Sequence, residues 1–135
     1  MKVLSIKEPF ASLVCLGKKK IETRSWKTNY RGRIYVHASL KKVVVKDDRY
    51  RKLLKLLPEN YNFKYGKIIC KANLVDCIYM DDEFLKKIKT NETEFLCGHY
   101  EVGRYAWILD DVEILNKPIS AKGRLGIWNY NILEK

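Results

Sequence analysis

The sequence predicts an α+β domain in which long strands build the sheet and about three short helices flank it. Three observations lead there. Residues 33–38 alternate Ile34 and Val36 with Tyr35 and His37, the period of a half-buried strand. Residues 66–79 and 104–115 are long β-rich runs broken only at polar positions. The helix-like stretches, by contrast, run for about two turns and end on stop signals. With 135 residues and neither an internal repeat nor a low-complexity linker, residues 1–135 are expected to form one domain with enough chain to bury a core.

In chain order, Pro9 presets the backbone of a first helical turn, and Phe10, Leu13 and Val14 recur at helical spacing. Gly17 can adopt the left-handed conformation that ends a helix. The spacing predicts a helix over about residues 9–16. Beyond it, Ile21, Thr23 and Trp26 favour an extended chain. Such a chain advances roughly 7 Å per two residues and sets Lys20, Glu22, Arg24 and Trp26 on one face. Lys19, at the strand's entrance, is long enough to curl onto that face. After the strand at 33–38, Asp47 and Asp48 suit a helix cap, Tyr50, Leu53, Leu54 and Leu57 share a face, and Pro58 is a stop. This helix is expected to cover one end of the sheet. The run 66–79, interrupted at Lys71, Asn73 and Asp76, suits a bent strand. Asp81 and Asp82 cap a short helix carrying Phe84, Leu85 and Ile88. Residues 90–101 have no period and contain Asn91, Thr93 and Gly98, the composition of a mobile loop. The run 104–115 breaks at Asp110 and Asp111 and has Trp107 as its core residue, and residues 123–130 close the sheet.

The charge narrows the class of partner. Lys and Arg number 27 against 16 Asp and Glu, a formal net charge of +11. Lys18, Lys19, Lys20, Lys27, Arg31, Arg33, Lys41 and Lys42 crowd the first third. A net positive field draws polyanions whatever the fold, and clustered Lys and Arg are the electrostatic footprint of nucleic-acid binding. The competing reading is a lysine-rich surface that only confers solubility. An apolar share of 47% beside 32% charged residues excludes a disordered chain. There is no apolar run of the length a membrane span needs, and Lys7 and Glu8 come too early for a secretory signal. A cytoplasmic protein with no membrane partner is therefore expected. Cys15, Cys70, Cys77 and Cys97 form no C-x-x-C pair. With only two histidines in the chain, a zinc site would need an unusual ligand mixture. The thiols are read as reduced, and neither a metal nor a cofactor is expected.

Residues 17–26, Gly-Lys-Lys-Lys-Ile-Glu-Thr-Arg-Ser-Trp, hold the densest chemistry. A carboxylate between cations stays ionised and takes two partners, leaving other Lys and Arg donors for an anion or a carbonyl. Read alone, a Glu22 to Arg24 pair on a surface would contribute under about 1 kcal/mol and imply nothing more.

The flanking residues add to this. Gly17-x-Lys19-x-x-Glu22-x-Arg24 resembles the signature of the ASCH domain family, whose members include the C-terminal domain of an activating signal cointegrator and small bacterial proteins. The likeness continues upstream through Leu4 to Leu13, with Pro9, Phe10 and Ala11, and downstream through Arg24-Ser25-Trp26 and Tyr30 to Ala38. It extends to Gly103 to Leu109 and to Lys122 to Trp128. The resemblance implies a PUA-like fold, a small, mixed, partly open β-barrel widely used for RNA binding. Family members are proposed to bind RNA or DNA; a few small bacterial ones are amidohydrolases of N4-acetylcytidine, and others are thought to be nucleases.

Two functions compete, beside a third reading, a protein-interaction module, that would need an exposed apolar patch. In the first, the motif strand, the start of the first helix and the turn at 30–33 form a basic cleft for RNA, with DNA as an alternative. Its residues are Phe10, Lys19, Lys20, Glu22, Arg24, Trp26, Tyr30, Arg31, Arg33 and His37, with Phe10 as the stacking ring. Base stacking contributes about 1 to 3 kcal/mol per base. A His placed like His37 is more often an ordinary hydrogen-bonded, half-buried residue. In the second, Lys19 and Glu22 are catalytic against the amide of a modified nucleoside. Resemblance to the small hydrolases would ask for a motif Lys, a Thr three residues on and a distant Glu. Here Glu22 stands at that spacing and Thr23 is displaced by one, which on a strand means the opposite face. Glu83, Glu94 and Glu101 are equal candidates for the distant acid.

Overall fold

The computed structural model describes residues 1–131 and holds ten elements. They are β1 (Lys2–Ile6), α1 (Phe10–Cys15), β2 (Ile21–Arg24), β3 (Gly32–Ala38), α2 (Asp48–Lys55), β4 (Lys67–Tyr79), α3 (Asp82–Ile88), α4 (Glu92–Leu96), β5 (Tyr105–Ser120) and β6 (Ile127–Asn129). The strands make one sheet in the order β2-β5-β4-β3-β1-β6. Only the β1 and β3 pair is parallel; all other neighbours are antiparallel. The two longest strands pair along most of their length and slip register three times, between Ile68 and Cys70, Lys71 and Asn73, and Leu74 and Asp76. Each such irregularity bends and twists its strand, which rolls the sheet into a half-barrel. Residues 110 and 111, the break expected in β5, lie within this irregular stretch, and Asp111 takes a positive φ of 50°.

Helix α1 lies against the sheet with every residue buried, and Gly17 behind it has φ +76°. That backbone conformation requires glycine or a strained substitute. Leu4, Ile34, Val36, Leu74, Trp107 and Leu109 from the strands meet Phe10, Leu13 and Val14 from α1, and Tyr50 and Leu53 from α2, in the main core. Trp107 is fully buried, as expected of a core residue. Asp47 and Asp81 cap α2 and α3, accepting from Tyr50 N–H at 3.0 Å and Phe84 N–H at 2.8 Å.

Four features depart from expectation. Strand β1 adds an element with no counterpart in the reading of the residues. The motif strand stops at Arg24 rather than reaching Trp26. Residues 90–101 are not one loop: α4 occupies Glu92–Leu96, started by the Asn91 side chain, which accepts from Glu94 N–H at 3.1 Å. Capping by a side chain, rather than a hydrophobic period, makes this five-residue helix, so a search for periodicity passes over it. Finally, Cys15 and Cys70 are disulfide-bonded, joining α1 to β4, and only Cys77 and Cys97 are free. The partners lie 55 residues apart with Cα atoms 5.7 Å apart, a proximity that folding creates and that no local spacing reveals.

Candidate functional site

The motif is assembled around a buried lysine. Lys19 follows the left-handed turn at Gly17, is 1% exposed, and directs its ammonium inward. Nζ donates to Ile21 O at 2.5 Å and Cys97 O at 2.8 Å, and lies 3.5 Å from Glu22 Oε1. An ammonium has three hydrogens, and here three oxygens surround it. Glu22 is buried too; its Oε2 accepts from Arg24 Nε at 3.1 Å and Nη2 at 2.7 Å, and Nη2 also donates to Ser5 O at 3.0 Å. One carboxylate is thus shared by two cations, which leaves the three side chains with one net positive charge in a site where an unpaired charge would be costly.

β2 is an outer strand of the sheet, and α4 covers its start. Glu94, buried, accepts from Lys20 N–H at 2.8 Å and Ile21 N–H at 3.2 Å. Further along, Thr23 Oγ1 accepts from His99 N–H at 3.0 Å. Thr23, expected on the opposite face of the strand, instead borders the site together with Glu22 and Arg24, because its hydroxyl holds the 96–99 segment, which forms part of the same wall.

The motif, the start of α1, the start of α2 and residues 95–100 enclose a cavity of about 840 Å³. A volume of that order accommodates a nucleotide-sized ligand. Six cations line it, Lys7, Lys19, Arg24, Lys46, Arg49 and Arg104, against the single carboxylate of Glu22. Phe10 forms part of the wall, with Arg49, Lys19 and Lys7 between 5.5 and 5.9 Å from its ring centre. Tyr100 packs between Phe84 and Phe95, its ring 6.2 and 5.8 Å from theirs, and its buried hydroxyl has no hydrogen-bond partner among the described residues. Burial first, then the nearby Glu94, Cys97 and Glu22, push the phenol's pKa well up, so it stays a donor. Burial likewise raises the Cys97 thiol, with Lys19 opposing, so this cysteine is held in its protonated, weakly nucleophilic form.

Of the residues singled out in the sequence, Phe10, Lys19, Glu22 and Arg24 meet in this cavity. The other residues expected to form the cleft lie outside its lining. Lys20 is exposed. Trp26 is 45% exposed, packs edge-on against Trp107, and has the Arg24 guanidinium 5.4 Å from its ring. Tyr30 donates its hydroxyl to Arg33 O, Arg31 donates to the Thr28 and Tyr30 carbonyls, and Arg33 bonds Asn73. His37 is buried between Ser5 Oγ at 3.0 Å and Ala121 O at 2.8 Å; a carbonyl only accepts, so Nε2 carries the proton. Among the three candidate acids, Glu94 grips the motif backbone, whereas Glu83 and Glu101 are exposed. Reading the residues missed Lys7, Lys46, Arg49, Tyr100 and Arg104 as site residues. The one local signal available was Asn91-Glu92-Thr93-Glu94, whose cap-to-Glu spacing matches a helix start.

Comparison with known proteins agrees with this architecture. The sequence model of the ASCH domain matches residues 4–119. Human activating signal cointegrator 1 is 49% identical over 39 residues, 29% of this chain and 7% of the cointegrator's length. The crystal structure of ASCH from Zymomonas mobilis superposes with a TM-score of 0.60 over 98% of this chain and 89% of that one. At 15% identity that likeness is one of fold.

Proposed function

Because the chain belongs to the ASCH domain family, a family associated with nucleic-acid interaction, we propose that its cleft binds nucleic acid, RNA in preference to DNA. The observation that carries this reading is the lining of the cavity: six cations against one carboxylate, on a wall that includes an aromatic ring. Lys7, Lys46, Arg49 and Arg104 take part in no ion pair among the described residues, so their charge is available to phosphates.

The alternative is hydrolysis of N4-acetylcytidine or a related modified nucleoside. It would use Lys19 and Glu22, but the ammonium already donates to two carbonyls and is paired with Glu22, and the Thr23 hydroxyl is engaged with His99. This supports holding a ligand over cleaving it. The test incubates the purified protein with N4-acetylcytidine and, separately, measures fluorescence anisotropy with single-stranded RNA. Intact nucleoside and saturable RNA binding are expected; turnover at enzyme-like rates without RNA binding would reverse the order of the two readings.

A further inference from the structure

Three arginines from separate parts of the chain reach the cleft, and all are held in the same way. Arg24 gives Nε and Nη2 to Glu22, and Nη2 to Ser5 O. Arg49 gives Nε to Leu96 O at 3.0 Å and Nη2 to Gly98 O at 3.3 Å. Arg104 gives Nε to His99 O at 3.0 Å and Nη2 to Thr23 O at 3.4 Å. In each, Nη1 has no hydrogen-bond partner among the described residues. Most of these anchors fall on two short stretches, residues 22–24 and 96–99, which the bond from His99 N–H to Thr23 Oγ1 ties together at 3.0 Å. Three guanidinium groups are therefore gathered at one cavity, each restrained through two nitrogens while the third stays free.

Resting on the nucleic-acid reading above, we propose that this cluster seats a phosphate monoester, the phosphorylated end of a strand, in preference to a phosphodiester within it. The donor count argues for the end. Each Nη1 carries two N–H groups, and a monoester offers three terminal oxygens with about two acceptor positions apiece. An internal diester offers two such oxygens and one charge, where a monoester carries roughly −1.5 to −2 at neutral pH. Tyr100, whose buried hydroxyl has no hydrogen-bond partner among the described residues, lines the same cavity, while the Lys19 ammonium already donates to two carbonyls and is paired with Glu22. Restraint of the arginines before the ligand arrives lowers the ordering cost of binding, and planar forks match phosphate oxygens better than flexible ammonium groups do.

The experiment compares the full chain's affinity for one short single-stranded RNA carrying a 5′-phosphate, a 3′-phosphate, or hydroxyls at both ends, at fixed salt. One phosphorylated form is expected to bind about tenfold or more tightly than its hydroxyl-ended twin, the worth of one or two charge-assisted hydrogen bonds. The form that gains tells which end is seated. Arg49→Gln and Arg104→Gln should each erase most of that preference, and Arg49→Lys, which keeps the charge but loses the fork, should erase part of it. Equal affinity for all three RNAs overturns the proposal and leaves nucleic-acid binding standing. Failure of every RNA to bind, while a nucleoside monophosphate still shifts the protein's melting temperature, overturns the RNA reading and leaves the phosphate seat standing. If neither RNA nor the monophosphate binds, both are overturned. Because the wild-type comparison decides the matter, misfolding of a variant does not spare the idea.

Discussion

A lysine with its ammonium enclosed is tolerable only where oxygens replace the water it has lost, and Lys19 meets that condition with two carbonyls and a carboxylate. The carboxylate is shared, so Glu22 and Arg24 cannot be judged apart: Glu22 sets the direction in which the Arg24 guanidinium faces, and Arg24 neutralises Glu22. Glu22→Ala and Arg24→Ala should each remove most RNA binding, and the double variant should lose little more than the worse single one, since residues in one network couple. Titrations of the four proteins, with circular dichroism to confirm folding, check this. Fully additive losses would mean that the two residues act independently.

At the scale of the element, β2 is short and lies at the rim of the sheet, so it depends on α4 to hold its entrance in place. The Glu94 carboxylate does for Lys20 and Ile21 what no neighbouring strand could, accepting from two consecutive amides with its two oxygens. Glu94→Ala leaves both N–H groups without their acceptor, each loss costing about 1–3 kcal/mol if water does not enter. Faster hydrogen exchange is expected at Lys20 and Ile21, together with weaker RNA binding, because the same strand carries the motif. Unchanged exchange at those two amides would show that α4 merely rests beside the strand. Asn91 acts one step earlier by starting α4, and Asn91→Ala should reproduce the effect more weakly, since a lost cap costs about 1 kcal/mol.

For the molecule as a whole, the net charge of +11 and the cationic lining of the cleft act together on a polyanion. Each phosphate neutralised on a single strand releases counterions and contributes roughly −0.7 to the slope of log affinity against log salt. Contacts with three or more phosphates therefore predict a slope of about −2 or steeper. A binding constant indifferent to salt would remove the electrostatic basis of the proposal. Among the described residues no helix is long and apolar enough to cross a membrane.

How much of this was legible in the amino-acid order depends on the distance over which each feature is encoded. Caps at Asp47 and Asp81, the stop at Gly17 and the alternation in β3 are local, so neighbouring residues specify them without knowledge of the fold. Phe10, Lys19, Glu22 and Arg24 lie within one short span around a turn, and the sequence determined that they would meet. Trp26 and the turn at 30–33 are nearby in sequence but lie outside the cavity lining, because β2 ends at Arg24. The tertiary structure alone decided that Arg49 and Arg104 would grip the carbonyls of residues 96–99, and that Glu94 would hold amides more than 70 residues away. It also joined Cys15 to Cys70. Such contacts follow from sheet order and helix packing, where loop closure brings distant segments together and no short window of sequence records the pairing.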